Sequence, residues 1–120
     1  MGVILVVEDN EANLELVTRF LRRDGHQVIH ATDGGAGVSA AEEQTPDLIL
    51  MDLGLPGMDG WEATSRIRAN PKSSHIPIIA LTAHTLAEDV RRAVTMGFDG
   101  YETKPLIYGR LMKKIKAFVR

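Results

Sequence analysis

The stretch DLILMDLGLPGMDG, residues 47 to 60, decides how the rest of the chain is read. Leu48 to Leu53 is an apolar run of the kind that forms a buried strand, yet it is interrupted by a carboxylate, Asp52. An ionised group in low dielectric without partners costs several kcal/mol or more and would sooner take up a proton. A charge kept at that position implies a use for it, and the use depends on what else the fold brings there.

Working outward, short β-branched runs alternate with segments of helical periodicity. Upstream, VILVV (3 to 7) reads as a first strand, followed by a helix in which Leu14, Val17 and Leu21 share one face. Asn10 is its candidate cap and Asp24-Gly25 its stop. QVIHA (27 to 31) is a second strand. DGGAGVSAAEEQ (33 to 44) is a weak second helix, since each of its three glycines costs helix stability, and Pro46 ends it. DLILM (47 to 51) is the third strand, and a third helix runs from about Trp61 to Ala69, capped by Asp59 and stopped by Asn70-Pro71. Downstream, IPIIAL (76 to 81) is a fourth strand, with Pro77 tolerable near its start. Thr85-Leu86-Ala87-Glu88 has the capping-box form and opens a fourth helix ending at Gly97. A short fifth strand, Gly100 to Thr103, precedes Lys104-Pro105 and a last helix from about Tyr108 to Val119.

Five strands alternating with five helices predict an α/β fold, a parallel sheet covered on both faces by right-handed crossovers. No linker, repeat or low-complexity tract divides the 120 residues, so residues 1–120 are read as one domain. The composition, 44% hydrophobic and 25% charged, is that of a soluble globular protein, and no apolar run approaches the ~20 residues that cross a bilayer. With no secretory signal in view, a cytoplasmic location and no membrane contact are expected. The absence of cysteine excludes disulfides and thiolate metal sites. A net charge of -2 gives no general attraction to nucleic acid. The basic cluster Lys113, Lys114 and Lys116 reads as a solvated helix face that suits the helix dipole.

In open parallel sheets, ligands sit outside the carboxyl ends of the strands. The residues there are Glu8 and Asp9 after the first strand, Asp52 after the third, Thr82 after the fourth and Lys104 after the fifth. Two carboxylates ~5 Å apart repel by about 3 kcal/mol at an effective dielectric of 20, so three acids against one lysine call for an added cation. An all-oxygen ligand set favours a hard ion, and Mg²⁺ suits it better than zinc.

These residues carry a resemblance. VVEDN (6 to 10), PDLILMDLGLPGMDG (46 to 60), IPIIALTA (76 to 83) and KP (104 to 105) stand in the order and spacing of response-regulator receiver domains, the CheY-like family of two-component signalling. The resemblance spans essentially the whole chain. It implies a flavodoxin-like, doubly wound sheet of order 2-1-3-4-5. It further implies that Asp52 is the phosphoacceptor, taking its phosphoryl group from a histidine kinase or histidine phosphotransfer protein. Mg²⁺ is then held by Asp9 and Asp52, by Glu8 through water, and by the backbone carbonyl of Gly54. Lys104 contacts the phosphoryl oxygens, and Thr82 donates to them once they arrive. A cis Lys104-Pro105 bond is also implied.

The same resemblance makes Thr82 and Tyr101 the switch pair, with Tyr101 turning inward as the Thr82 loop moves. The partner-binding face is then the fourth helix, fifth strand and fifth helix, about 86 to 119. Gly54 and His84 flank the reaction centre. Gly54 offers no side chain to shield a phosphoryl group, and His84 either gates its hydrolysis or is simply a solvated loop residue. His26, His30 and His75 read as surface or loop histidines, and Trp61 and Met96 as packing residues. DGGAG lacks the Gly-Lys-Ser/Thr ending of a phosphate loop.

Two other functions are compatible with the topology. A metal-dependent phosphohydrolase acting through an aspartyl phosphate would be expected to carry Asp-x-Asp after the first strand, where this chain has Glu8-Asp9. A flavin module would need a Ser/Thr/Gly-rich loop where EDNEAN stands. The expectation is therefore a signalling module that catalyses only its own phosphorylation and dephosphorylation. It acts on a partner in trans or is a piece of something larger.

Overall fold

The computed structural model describes residues 2–83 and 87–119. Five strands, β1 (Val3–Val7), β2 (Gln27–Ala31), β3 (Leu48–Asp52), β4 (Ile78–Thr82) and β5 (Gly100–Thr103), form one parallel sheet of order β2-β1-β3-β4-β5. The helices α1 (Glu11–Arg23), α2 (Gly34–Gln44), α3 (Gly60–Ala69), α4 (Ala87–Thr95) and α5 (Tyr108–Lys116) alternate with them. This is the doubly wound α/β architecture expected from the sequence. Among the described residues, no helix is long and apolar enough to cross a membrane.

Because successive strand residues face opposite ways, the sheet has two core layers. Leu5, Val7, Ile49, Met51, Ile78 and Ala80 pack with Ala41 of α2 and with Ala63 and Ile67 of α3. On the other face, Ile4, Val6, Leu50 and Leu81 pack with Val17 and Leu21 of α1 and with Leu111 and Ile115 of α5. Both β3 and β4 are buried along their whole length. Each fully buried Leu or Ile contributes roughly 1.5–3 kcal/mol, which holds these strands rigidly in register.

Helix starts follow side-chain capping, with Asn10, Asp33 and Asp59 accepting from Asn13, Ala36 and Glu62 N–H groups respectively. The Thr85 to Glu88 capping box falls partly outside the described residues. At the end of α2, ahead of Pro46, Thr45 takes a left-handed conformation (φ 41°), unusual for a β-branched residue.

The bounds of β3, β4 and α5 differ from the sequence expectation, with β3 running one residue further, to Asp52, and β4 one further, to Thr82. β3 begins one residue late because the Asp47 carboxylate accepts from Val3 N–H at 2.8 Å. β4 runs from Ile78 to Thr82, and Ile78 N–H is bound by the Asp99 carboxylate at 2.8 Å. α5 ends at Lys116, short of the expected Val119, with Ala117 N–H turned onto Lys114 O. His26 is a correction as well: it is buried, and its Nδ1 accepts from Gly2 N–H at 3.2 Å.

Register aligns the strand ends. Val7 pairs with Met51, Asp52 with Leu81 and Thr82 with Thr103, so Glu8, Asp52, Thr82 and Lys104 emerge on one rim.

Candidate functional site: an acidic cleft at the strand ends

Glu8, Asp9, Asn10, Asp52, Gly54, Thr82 and Lys104 line a cleft of about 400 Å³ at that rim. Asp52 ends β3 with only 5% of its surface exposed, and Glu8, one residue past β1, is fully buried. One carboxylate oxygen from each of Glu8, Asp9 and Asp52 lies within 4.8 Å of the others. The Lys104 ammonium stands 2.9 Å from Glu8 Oε1 and 3.3 Å from Asp52 Oδ2. The charges on the rim are therefore three carboxylates gathered around one ammonium.

Backbone geometry orients the acids. Gly54 N–H donates to Asp52 Oδ1 at 3.0 Å, and Asn10 N–H reaches Glu8 Oε2 at 3.4 Å. The β3–α3 connection passes so close to the strand that a Cβ on Gly60 would lie 2.3 Å from the Asp52 carbonyl oxygen. Glycine is required there by space. Lys104 N–H bonds Thr82 O at 2.8 Å, tying the ends of β4 and β5 together, and the Lys104-Pro105 bond is cis.

Crowding shows in the protonation equilibria. Burial, and then the neighbouring Asp52, push the Glu8 carboxyl up to about 7 against the pull of Lys104. For Lys104, burial opposes the charged form, but contacts with Glu8 and Asp52 outweigh it and raise its pKa. Glu8 Oε1 is buried, and the nearby ammonium makes an ion contact with it in place of an aligned hydrogen bond. An oxygen with spare acceptor capacity beside two further carboxylates fits a hard divalent ion with its waters.

The other expected residues fall as follows. Thr82 ends β4 and is largely buried. Tyr101, half-buried on β5, borders a small void with Thr82, Leu53, Ala80, Val90 and Ala93. His84 lies outside the described residues. His30 and His75 are exposed. Trp61 packs edge-to-face on Phe98, with the Arg92 guanidinium 4.2 Å from its ring, and it also borders the cleft. Met96 packs against the core.

Three features escape a reading by motif. Asn13 and Asp89 also line the cleft. Arg68 of α3 bonds the carbonyls of Gly97, Ser74 and Ile76 and pairs with Asp99 at 2.9 Å, joining α3 to the turn before β5. Glu102, buried on β5, is paired with Arg110 and with Lys114 at 2.8 Å. Lys114 is thus no part of a freely solvated basic face, whereas Lys113 and Lys116 are exposed. Strand alternation alone would have flagged Glu102 as the residue opposite Tyr101.

The fold and rim define an open α/β sheet with an acidic cleft at its switch point. The family model of the response regulator receiver domain matches residues 4–116, and the chain belongs to that family. Protein PilH of Pseudomonas aeruginosa is 36% identical over 117 residues, covering 98% of this chain and 97% of its own. The sensor protein GacS of Pseudomonas syringae is 44% identical over 106 residues, 86% of this chain but 12% of that protein. The chain therefore spans nearly all of one relative and a small part of another. Among solved structures, the receiver domain of the sensor histidine kinase PA1611 from Pseudomonas aeruginosa superposes with a TM-score of 0.90 at 38% identity. It covers 98% of this chain and 96% of that one, and was solved with a magnesium ion in its active-site cleft. Chemotaxis protein CheY4 of Vibrio cholerae gives 0.93 at 27% identity over 99% of both chains. The chain is a receiver domain of two-component signalling.

Proposed function

We propose that this receiver accepts a phosphoryl group on Asp52 from a histidine kinase or histidine phosphotransfer protein, in a Mg²⁺-dependent reaction. The carrying observation is the Lys104 ammonium placed against both Glu8 and Asp52, with the Asp9 carboxylate close by. An Asp52 oxygen attacks phosphorus, the phosphorus–nitrogen bond of the donor's phosphohistidine breaks, and the imidazole leaves with the bonding pair. Gly54 N–H holds Asp52 Oδ1, which leaves Oδ2, on the Lys104 side, as the attacking atom. Lys104 offsets charge on the phosphoryl oxygens, and the Thr82 hydroxyl donates to one of them. Asp9, Asp52, the Gly54 carbonyl and, through water, Glu8 would hold the magnesium, which when bound supplies positive charge against the incoming anion.

Phosphorylation then draws the Thr82 loop inward and Tyr101 turns into the space that opens behind it, altering the α4-β5-α5 face for a downstream protein partner. Residues 1–120 act as one module, with no direct nucleic-acid or membrane partner, in the cytoplasm. Its chemistry is confined to forming and losing its own aspartyl phosphate. Gly54 and His84 tune the loss.

Beryllofluoride with Mg²⁺, a stable mimic of the aspartyl phosphate, tests this reading by titration followed through Trp61 fluorescence. Saturable binding that disappears in Asp52→Asn is expected. Equal binding by the variant would show that another residue is the acceptor.

A further inference from the structure

Glu102 is a buried carboxylate that the phosphorylation chemistry does not use. Its β4 neighbour in register is Leu81, part of the apolar layer under α1 and α5, and its side chain is 2% exposed. A carboxylate in such a place persists only if paired, and loss of one partner leaves an uncompensated charge. Both partners come from one face of α5. Arg110 contacts Oε1, and Lys114, one turn later, contacts Oε2 at 2.8 Å.

The direction of Lys114 is what matters. Its ammonium also donates to the backbone carbonyl of Tyr101 and stands 5.1 Å from the centroid of the Tyr101 ring. One ammonium thus makes an ion contact with a carboxylate, a hydrogen bond to a carbonyl and a cation–π contact with an aromatic ring. β5 is the outer strand of the sheet, so Lys114 reaches around an open edge to a ring that belongs to the opposite face. On its other side that ring borders the void next to Thr82.

We infer that Glu102, with Arg110, holds Lys114 as a latch on Tyr101, so that this ion pair sets how readily the ring turns inward beside Thr82 when the Thr82 loop moves. An ammonium fixed by a buried carboxylate and a carbonyl cannot follow the ring when it turns. Inward rotation therefore forfeits the cation–π contact, worth roughly two- to five-fold in the equilibrium constant at a partly exposed site. The latch biases the ring outward before phosphorylation, and a ligand that needs the inward state binds more weakly by the same factor. The inference rests on the Tyr101 switch proposed above and names the residues that set its balance.

The chain has two tyrosines, so 3-fluorotyrosine labelling yields two fluorine signals, with Tyr108 as the internal control. In the unliganded protein, Lys114→Met and Glu102→Gln should each shift the Tyr101 signal, while Lys114→Arg retains the native position. Adding Glu102→Gln to Lys114→Met should move it no further, as expected of two residues acting through one contact. Beryllofluoride with Mg²⁺ should bind Lys114→Met about two- to five-fold more tightly than the native chain. A Tyr101 signal unmoved in Lys114→Met, or moved equally in Lys114→Arg, overturns the latch. Failure of the native protein to bind beryllofluoride would overturn the phosphoacceptor reading instead, and the fluorine signal decides the latch independently.

Discussion

Lys104 is the residue on which the electrostatics of the rim turn, because its ammonium is close to both Glu8 and Asp52. Lys104→Met keeps much of the stem and removes the charge. Affinity for beryllofluoride with Mg²⁺ should fall roughly ten- to a hundred-fold, the worth of a charge-assisted contact, as read by fluorescence titration. His26 makes a second prediction, on pH. Its burial lowers the pKa below the ordinary 6.5, so between the two values the unfolded chain binds more protons than the folded one. Its contribution to stability is present above pH 6.5 and is lost as pH falls through the folded pKa. His26→Gln, whose amide oxygen can still accept from Gly2 N–H, should flatten the fall of the urea midpoint between pH 7 and 5 relative to the native chain. Glu8 and Asp52 were legible in the sequence because each stands at the end of an apolar run, a place where burial and charge conflict, and the exposed Asp9 adjoins Glu8. His26 was not, since Asp24-Gly25 before it and Gln27 after it have the polarity of a surface turn, and its partner Gly2 is remote in sequence. Alternation along β5 places Glu102 opposite Tyr101, but its pairing with Lys114 of α5 is one that periodicity within either element does not reveal.

At the scale of elements, alternation of apolar period located every strand and helix, and what it missed were ends. Asp47 and Asp99 bind backbone N–H groups of other strands, so the starts of β3 and β4 depend on partners far along the chain. The glycine-rich α2 poses a sharper question, because glycine weakens a helix interior by about 0.5–1 kcal/mol against alanine. Space answers it: a Cβ on Gly34 would stand 2.3 Å from Met58 O in the loop before α3. Gly34→Ala should therefore destabilise the protein by about 1–3 kcal/mol, the usual range for overpacking. Gly109 in α5 has nothing within 4 Å of its would-be Cβ and is exposed. Gly109→Ala should stabilise by up to about 1 kcal/mol. Urea unfolding of the two variants checks both signs, and a shared sign would show that helix propensity, and not space, governs these positions.

For the whole molecule, the acidic cleft lies between strands that carry the centre of the sheet. β1 and β3 adjoin in the order β2-β1-β3-β4-β5, and the layers on both faces rest on them, so charge at their tips is coupled to global unfolding. The metal-free chain holds three carboxylates within 4.8 Å, a repulsion the unfolded chain escapes. A cation that binds only the folded state stabilises it by RT ln(1 + [L]/Kd), about 2.7 kcal/mol at a hundredfold excess over Kd. Magnesium should therefore raise the urea midpoint of the native protein in proportion to the logarithm of its concentration. Asp9→Asn removes one proposed ligand and one repelling charge together, and the two effects have opposite signs. Without magnesium the variant should unfold at a higher urea concentration than the native chain, and with magnesium it should gain far less. The two stability curves must then cross as magnesium is added. A mere loss of packing at Asp9 would lower the variant's curve at every concentration, and a nonspecific effect of divalent salt would shift both curves alike, so a crossing point separates ligation at this rim from either alternative.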